Sequence, residues 1–486
     1  MSLPIFFGIF YFIILTIINT TGGYGIFVDE YYYLACSKRL SWGYVDQPPF
    51  SIFLLSLFRI DGNSILFLRF IPAVFAGFSV FLVGNLTQRF SSQRFAIVLP
   101  CFATMTMPVL QVIFGFYSMN AIEVFFVVLL VTISIQLKDS PKHWMSLGVV
   151  IGLGVMNKHT FVLYVLAVLI PYVWIHFKSV YKNRFFYLGA VIAVVIVLPN
   201  LIWQYHYEFP SLEFYKNAYK MKNINLSLFQ IIFDQILSVN PATLPLWICG
   251  IYFFLKNKEF RYLGIAYLLL LGLFLFFKSS RPDRIASFYP ILFAGGSAFI
   301  LSDLWKKVLL SLILIVGIVL SPVGLPILPL PLLSRYVDIL GVVPKIEAGN
   351  RTLLPQWFAD RLDWQEFYFQ VDKSLLSLSQ EELKETAIVG NFYGQAGSLE
   401  FYKIRIPVIS GHNNYYLWLE ELKINPKHLV VTSEETAKIL EPFFQEKQLI
   451  GTYSRQYTME SEIPIYVLKK SRVNIKDTYS LFKFYR

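Results

Sequence analysis

Apolar runs near the ~20 residues needed to cross a bilayer recur from the first positions to about position 331, and no other feature limits the fold so tightly. They lie at 4–21, 64–88, 95–116, 119–137, 144–157, 160–177, 185–203, 237–255, 260–277, 285–301 and 307–331. This predicts a polytopic α-helical membrane protein with about eleven transmembrane helices. The fifth and sixth runs are short, and a tight hairpin there changes the count by about two. Composition agrees, since 56% of the 486 residues are hydrophobic and 15% charged, too apolar for a soluble chain of this length. The first run lacks a basic flank and a small-residue cleavage site, so it reads as a retained span and not a signal peptide.

Loop charge gives an orientation. With the N-terminus cytoplasmic, the inner connections hold Arg89 and Arg94, Lys138 and Lys142, then Lys178, Lys182 and Arg184. Lys256, Lys258 and Arg261 follow, and finally Lys306 and Lys307. Short basic loops belong on the cytoplasmic side of the cell (inner) membrane. They account for the net charge of +11 without nucleic acid. An odd number of spans puts the C-terminus outside, with the longer loops 22–63 and 204–236. Cys36, Cys101 and Cys249 give neither a disulfide framework nor metal spacing.

The character changes after the Pro-rich stretch at 321–335. Residues 1–335 read as the transmembrane domain and 336–486 as an extracytoplasmic α/β domain. In the latter, "TAIVGNFYGQAGSLEFYKI" reads as strand, Gly-containing turn and helix, and "HLVVTSEETAKILEPF" repeats the order with Thr432 or Ser433 as cap. "EIPIYVLKK" reads as a further strand. The turn at Gly390–Gly397 lacks the spacing of a nucleotide-binding loop.

Residues 27–50, "FVDEYYYLACSKRLSWGYVDQPPF", follow directly on the first run. They hold the carboxylates Asp29, Glu30 and Asp46 beside Tyr31, Tyr32, Tyr33, Trp42 and Tyr44. A charge at mid-bilayer costs about 2.5–3.5 kcal/mol, so carboxylates at membrane depth face protein or water. Two readings stay open on position alone. Either Asp29-Glu30 ends the span and caps a helix beneath an aromatic belt, or the loop carries chemistry. Pro48 and Pro49 fix the backbone where the chain turns back to the membrane.

The Asp-Glu pair, the tyrosine-rich helix after it and "WGYVDQPP" together resemble the polyprenyl-phosphate-dependent glycosyltransferases of the GT-C class. The resemblance is to the branch holding protein O-mannosyltransferases, the lipid A aminoarabinose transferase and the rhizobial galacturonosyltransferases. "FYSMNAIEVFF" (116–126), "GLGVMNKHTFVLY" (152–164), "KSSRPDRIASFYPILFAGGSAF" (278–299) and "GNFYGQAGSLEFY…PVISGHNNYYLW" fit the same branch. It implies a GT-C-like fold and an inverting transfer of a sugar from a polyprenyl-phosphate donor to an acceptor hydroxyl at the outer face. The acceptor would be lipid A or lipopolysaccharide, another envelope glycan, or a protein.

The resemblance also implies roles. Asp29 matches the base and Glu30 the residue that orients acceptor or loop. Asp46 and Gln47 stand where the aminoarabinose transferase carries an acid and a lysine; Gln47 lacks the cation. The donor phosphate then needs other partners, and Lys158, Lys278, Arg281 and Arg284 supply them. Lys158 equally suits a snorkelling anchor. Lys216, Lys220 and Lys222 read as solvated surface. Asn120, Glu123 and His159 are candidate acceptor contacts, although several relatives carry Asp at the position of Asn120; His412, Asn413 and Asn414 are polar contacts or turn formers. No metal is required; Asp29, Glu30 and Asp46 suit a hard divalent cation, but nothing indicates one. A lipid-linked sugar flippase or transporter would also carry intramembrane charge, but no internal repeat is visible. A non-catalytic envelope-assembly protein is the third reading.

Overall fold

The computed structural model describes the chain except residues 59–63, 223, 225, 279–280, 342–352, 458–461 and 486. The Lys222 side chain also lies outside the described set. The chain forms two compact units. The first comprises Met1–Gly23, Leu66–Trp203 and Asn223–Leu333, the second Tyr24–Ile65, Gln204–Lys222 and Ser334–Arg486.

Among the described residues, five helices are long and apolar enough to cross a membrane: Leu3–Thr21, Ile65–Phe90, Met119–Gln136, Arg184–His206 and Asp303–Gly324. A sixth span results if Leu228–Ser238 and Pro241–Lys256, bent by 95° to one another, count as one. The expected eleven are therefore not all of spanning length. Arg94–Met105, His143–Asn157, Phe161–Ile175 and Arg261–Phe276 are shorter apolar helices. At 1.5 Å per residue, a 15-residue helix covers only about 22 Å of a ~30 Å core. The expected run 95–116 divides because Pro108 opens a new helix, Pro108–Ile113, where its missing N–H costs nothing.

Between helices in a bilayer, close packing replaces the hydrophobic drive, so small residues mark the crossings. Gly8 and Gly77 show this in the first unit. A Cβ on Gly8 would lie 2.8 Å from the Gly77 carbonyl oxygen, and one on Gly77 would lie 2.7 Å from that of Gly8. The Arg184–His206 helix instead exposes Val191, Val194, Val195, Leu198 and Ile202, a surface that suits lipid.

In the second unit a five-stranded sheet runs in the order β2-β1-β3-β5-β4. Strands β1 (Thr386–Val389), β2 (Val408–Ile409) and β3 (His428–Val431) are parallel. Strands β4 (Phe444–Ser454) and β5 (Glu462–Ser471) pair antiparallel, and β5 joins β3. β1 and β3 are buried throughout, as parallel strands covered on both faces require. The sequence reading contains β1, β3 and β5 but neither the two-residue β2 nor β4, whose FQEKQLIGTYS is too polar and irregular to show alternation. Two of the parallel strands lead into helices, Tyr393–Phe401 after β1 and Glu434–Leu440 after β3. Ser433 caps the latter, its Oγ accepting the Thr436 N–H at 3.3 Å, while Thr432 turns inward to donate to Gln395 Oε1.

Candidate active site

The residues singled out in the sequence fall into two groups, one in each unit. In the second unit, the Val28–Lys38 helix begins where the chain leaves an extended Phe27. Glu30 is fully buried, and its Oε2 accepts the Phe27 N–H at 2.7 Å. That satisfies one of the helix's orphan donors; the Asp360 carbonyl takes another, from Val28, at 3.0 Å. Asp29, one residue earlier, is half-buried, and its Oδ1 accepts from the Tyr393 hydroxyl at 2.7 Å.

Tyrosines surround this carboxylate. Tyr32 lies on the same helix and stacks on Tyr393 with ring centroids 4.8 Å apart. Its hydroxyl donates to Asp46 Oδ1 at 2.8 Å, with Asn414 Oδ1 3.1 Å from the same oxygen. Asn414 Oδ1 also accepts the Val45 N–H at 2.7 Å, which holds the loop bearing Asp46. Burial first, and then the Asp29 charge, push the Tyr393 phenol well above its ordinary pKa. Burial and Asp46 do the same to Tyr32. Both phenols therefore keep their protons and act as donors to carboxylates, bonds worth about 1.5–3 kcal/mol each. Gln47 is fully buried, its Oε1 accepting from Ser51 Oγ at 3.3 Å and its carbonyl from the Tyr44 N–H at 3.0 Å.

In the first unit the second group gathers where three helix ends meet. Asn157 Nδ2 donates to the Met119 carbonyl at 2.8 Å, joining the end of His143–Asn157 to the start of Met119–Gln136. Asn120 is half-buried at that start. Lys158 Nζ pairs with Glu123 Oε2 at 2.7 Å, with 15% and 3% of the two side chains exposed. Thr160 Oγ stands 3.5 Å from the other oxygen of Glu123. Arg281 grips Asp283 by two bonds of 3.2 Å, Nε to Oδ1 and Nη2 to Oδ2. Burial tends to raise the pKa of Asp283, but Arg281, Lys158 and Arg284 outweigh it and hold the carboxyl below its usual value. Arg284 is exposed, and its carbonyl accepts from the Tyr164 hydroxyl at 2.7 Å. Lys278 is also exposed, with a left-handed φ of 46°. His159 Nε2 meets Asn200 Oδ1 at 3.0 Å, and burial lowers its pKa, so the ring is neutral at ordinary pH.

Thus Glu123 and Lys158, expected in different roles, form one buried ion pair. Glu123→Gln leaves a buried ammonium without its counter-charge and is expected to destabilise the first unit by about 3–5 kcal/mol. A lowered unfolding midpoint in detergent checks this, with Glu123→Gln/Lys158→Met recovering much of the loss.

Tyr393 and Asp283 lie in segments that carry the resemblance, but neither stands out in the sequence as a site residue. His412, Asn413 and Asn414 are nearly fully buried, and His412 and Asn414 support the group around Asp29 from behind. Among the described residues, no three His, Cys, Asp or Glu side chains cluster in a way that could hold a metal ion.

A family model described as dolichyl-phosphate-mannose-protein mannosyltransferase matches residues 46–203, a third of the chain. The match opens at Asp46 and leaves Asp29 and Glu30 outside it. No curated protein sequence matches. Among solved structures, ArnT from Cupriavidus metallidurans in the apo state aligns at 13% identity and TM-score 0.61, covering 94% of this chain and 97% of its own. The same protein bound to undecaprenyl phosphate aligns at 12% identity and TM-score 0.63 with the same coverage. AglB from Archaeoglobus fulgidus, in complex with an inhibitory peptide and a dolichol-phosphate, aligns at 14% identity, over 96% of this chain and 74% of its own, but its TM-score of 0.47 decides nothing. The partial family match, the apolar helices of spanning length and the fold shared with ArnT over nearly the whole chain make this a multi-pass membrane protein with an ArnT-like fold.

Proposed function

We propose that the chain is an inverting glycosyltransferase that moves a sugar from a polyprenyl-phosphate donor to an acceptor hydroxyl at the outer face of the membrane. The observation that carries this is Asp29, a half-buried carboxylate held at one oxygen by Tyr393 at 2.7 Å. The fold shared with ArnT, itself solved with undecaprenyl phosphate, supports the class of donor.

In the reaction, the acceptor O–H gives its proton to Asp29 as its oxygen bonds to the anomeric carbon. The bond from that carbon to the phosphate oxygen breaks, and its electron pair leaves with the phosphate. Arg281 and Arg284 suit the phosphate as planar forks, Lys278 as a point charge. Lys158 completes the cation set, its charge shared with Glu123. Glu30 fixes the start of the helix that carries Asp29; Asp46 and Gln47 fix Tyr32 and the following loop. Asn120 and His159 are the remaining contacts for the acceptor.

In this reading the N-terminus is cytoplasmic, the C-terminal segment lies outside the cell membrane, and no metal takes part. The acceptor is an envelope lipid, glycan or protein hydroxyl. Mass spectrometry of envelope lipids, glycans and glycoproteins with and without the chain tests the reading. Loss of one sugar from one class of molecule is expected; identical profiles, together with no transfer from polyprenyl-phosphate sugars by purified protein, would overturn it.

A further inference from the structure

We infer that Tyr393 is a positioning residue for the Asp29 carboxylate, kept in aim by the His412–Phe484 stack behind it. The inference rests on Asp29 being the base. Four rings stack in series within the second unit. Tyr32 and Tyr393 lie 4.8 Å apart, Tyr393 and His412 4.5 Å, His412 and Phe484 4.3 Å, at interplanar angles of 27°, 29° and 23°. The backbone closes around them. Tyr393 N–H donates to His412 Nδ1 at 3.3 Å, Asn413 N–H to the Phe484 carbonyl at 3.2 Å, and Phe484 N–H to the Gly411 carbonyl at 3.0 Å. The Tyr393 ring is thus covered on both faces, and its hydroxyl ends 2.7 Å from Asp29 Oδ1.

The approach of the two helices is equally specific. A Cβ on Gly394 would overlap the Val28 side chain, and one on Gly397 would lie 3.0 Å from the Tyr31 backbone. The turn after β1 therefore has a purpose its sequence does not announce: it brings a phenol onto the carboxylate.

A carboxylate with two free torsions samples several orientations, and a base out of line loses much of its effect. The Tyr393 hydroxyl on Oδ1 restricts that freedom. It also favours the charged form, because a hydrogen bond to a carboxylate lowers its pKa. Without the phenol the carboxylate protonates more readily, so the acid limb of the pH–rate profile moves to higher pH. Among the described residues, the titratable groups around the pair include Glu30, Tyr32, Tyr33, Asp46 and His412, while Arg39 and Glu400 pair with each other at 3.0 Å near the helix's far end. Tyr393→Phe leaves all of these in place and removes one oxygen.

The test is the pH dependence of kcat/KM for sugar transfer by the full chain in membranes, for wild type, Tyr393→Phe, Phe484→Ala and Asp29→Asn. Tyr393→Phe is expected to raise the acid limb by about one pH unit and lower the plateau about tenfold. Phe484→Ala should shift the limb the same way by less, with a similar unfolding midpoint. If Asp29→Asn is inactive while neither other variant moves the limb, the positioning role is overturned and the base stands. If Asp29→Asn keeps full activity, the base assignment falls first.

Discussion

Asp29→Asn is expected to lower sugar transfer by about 10²- to 10⁴-fold, the usual contribution of a positioned general base, with the protein still accumulating in the membrane. That corresponds to about 3–5.5 kcal/mol of transition-state stabilisation at 1.36 kcal/mol per decade. The amide keeps an oxygen for the Tyr393 hydroxyl, 2.7 Å from Oδ1 in the wild type, so its cost to folding is small. It cannot take a proton from the acceptor. Transfer rates at saturating donor, normalised to protein in the membrane, give the answer, and wild-type rates would remove the assignment. Glu30→Gln is the control. Glu30 is fully buried and spends an oxygen on the Phe27 N–H, a bond glutamine can also accept, so most activity should survive. Two neighbouring acids are thus separated by what their oxygens touch.

The resemblance already implies separate roles for Asp29 and Glu30, but what each of their oxygens touches was out of reach of the sequence. The apolar runs were legible because each reports its own local environment. Helix lengths were less so: Pro108 cuts one run, and the break before Pro241 bends another by 95°. Spacing also suggested that the charges after the first run belonged together, and Asp46 joins the Asp29 helix through Tyr32. The partner of Asp29 was invisible. Tyr393 lies 364 positions away, and nothing about a tyrosine after a strand marks it as a donor to a particular carboxylate. Pairing over such distances is set by packing, here by Gly394 and Gly397 admitting one helix against another. Local charge counts failed similarly for Lys158: an isolated lysine in the sequence is one half of a buried pair with Glu123 in the fold.

Arg281→Ala with Arg284→Ala is expected to cut kcat/KM for the lipid-phosphate donor by about 10²-fold, since charge-assisted bonds contribute about 1.5–3 kcal/mol each, and to leave acceptor KM nearly unchanged. Two effects add. The phosphate loses two guanidinium groups, and Asp283 loses cations that hold its carboxyl below the usual pKa. Arg281 binds that carboxylate by two bonds of 3.2 Å, so its removal exposes a negative charge where the donor's anion is to be held. The backbone is spared, because Tyr164 bonds the carbonyl of Arg284, which alanine retains. Adding Asp283→Asn separates the contributions. If the arginines serve only to neutralise Asp283, the triple variant regains wild-type donor use. If they hold the phosphate themselves, it recovers only part, and raising the salt weakens wild-type donor binding more than that of the triple variant. A double variant with unchanged apparent affinity for the donor would remove both arginines from the phosphate and leave them as a structural clamp on Asp283.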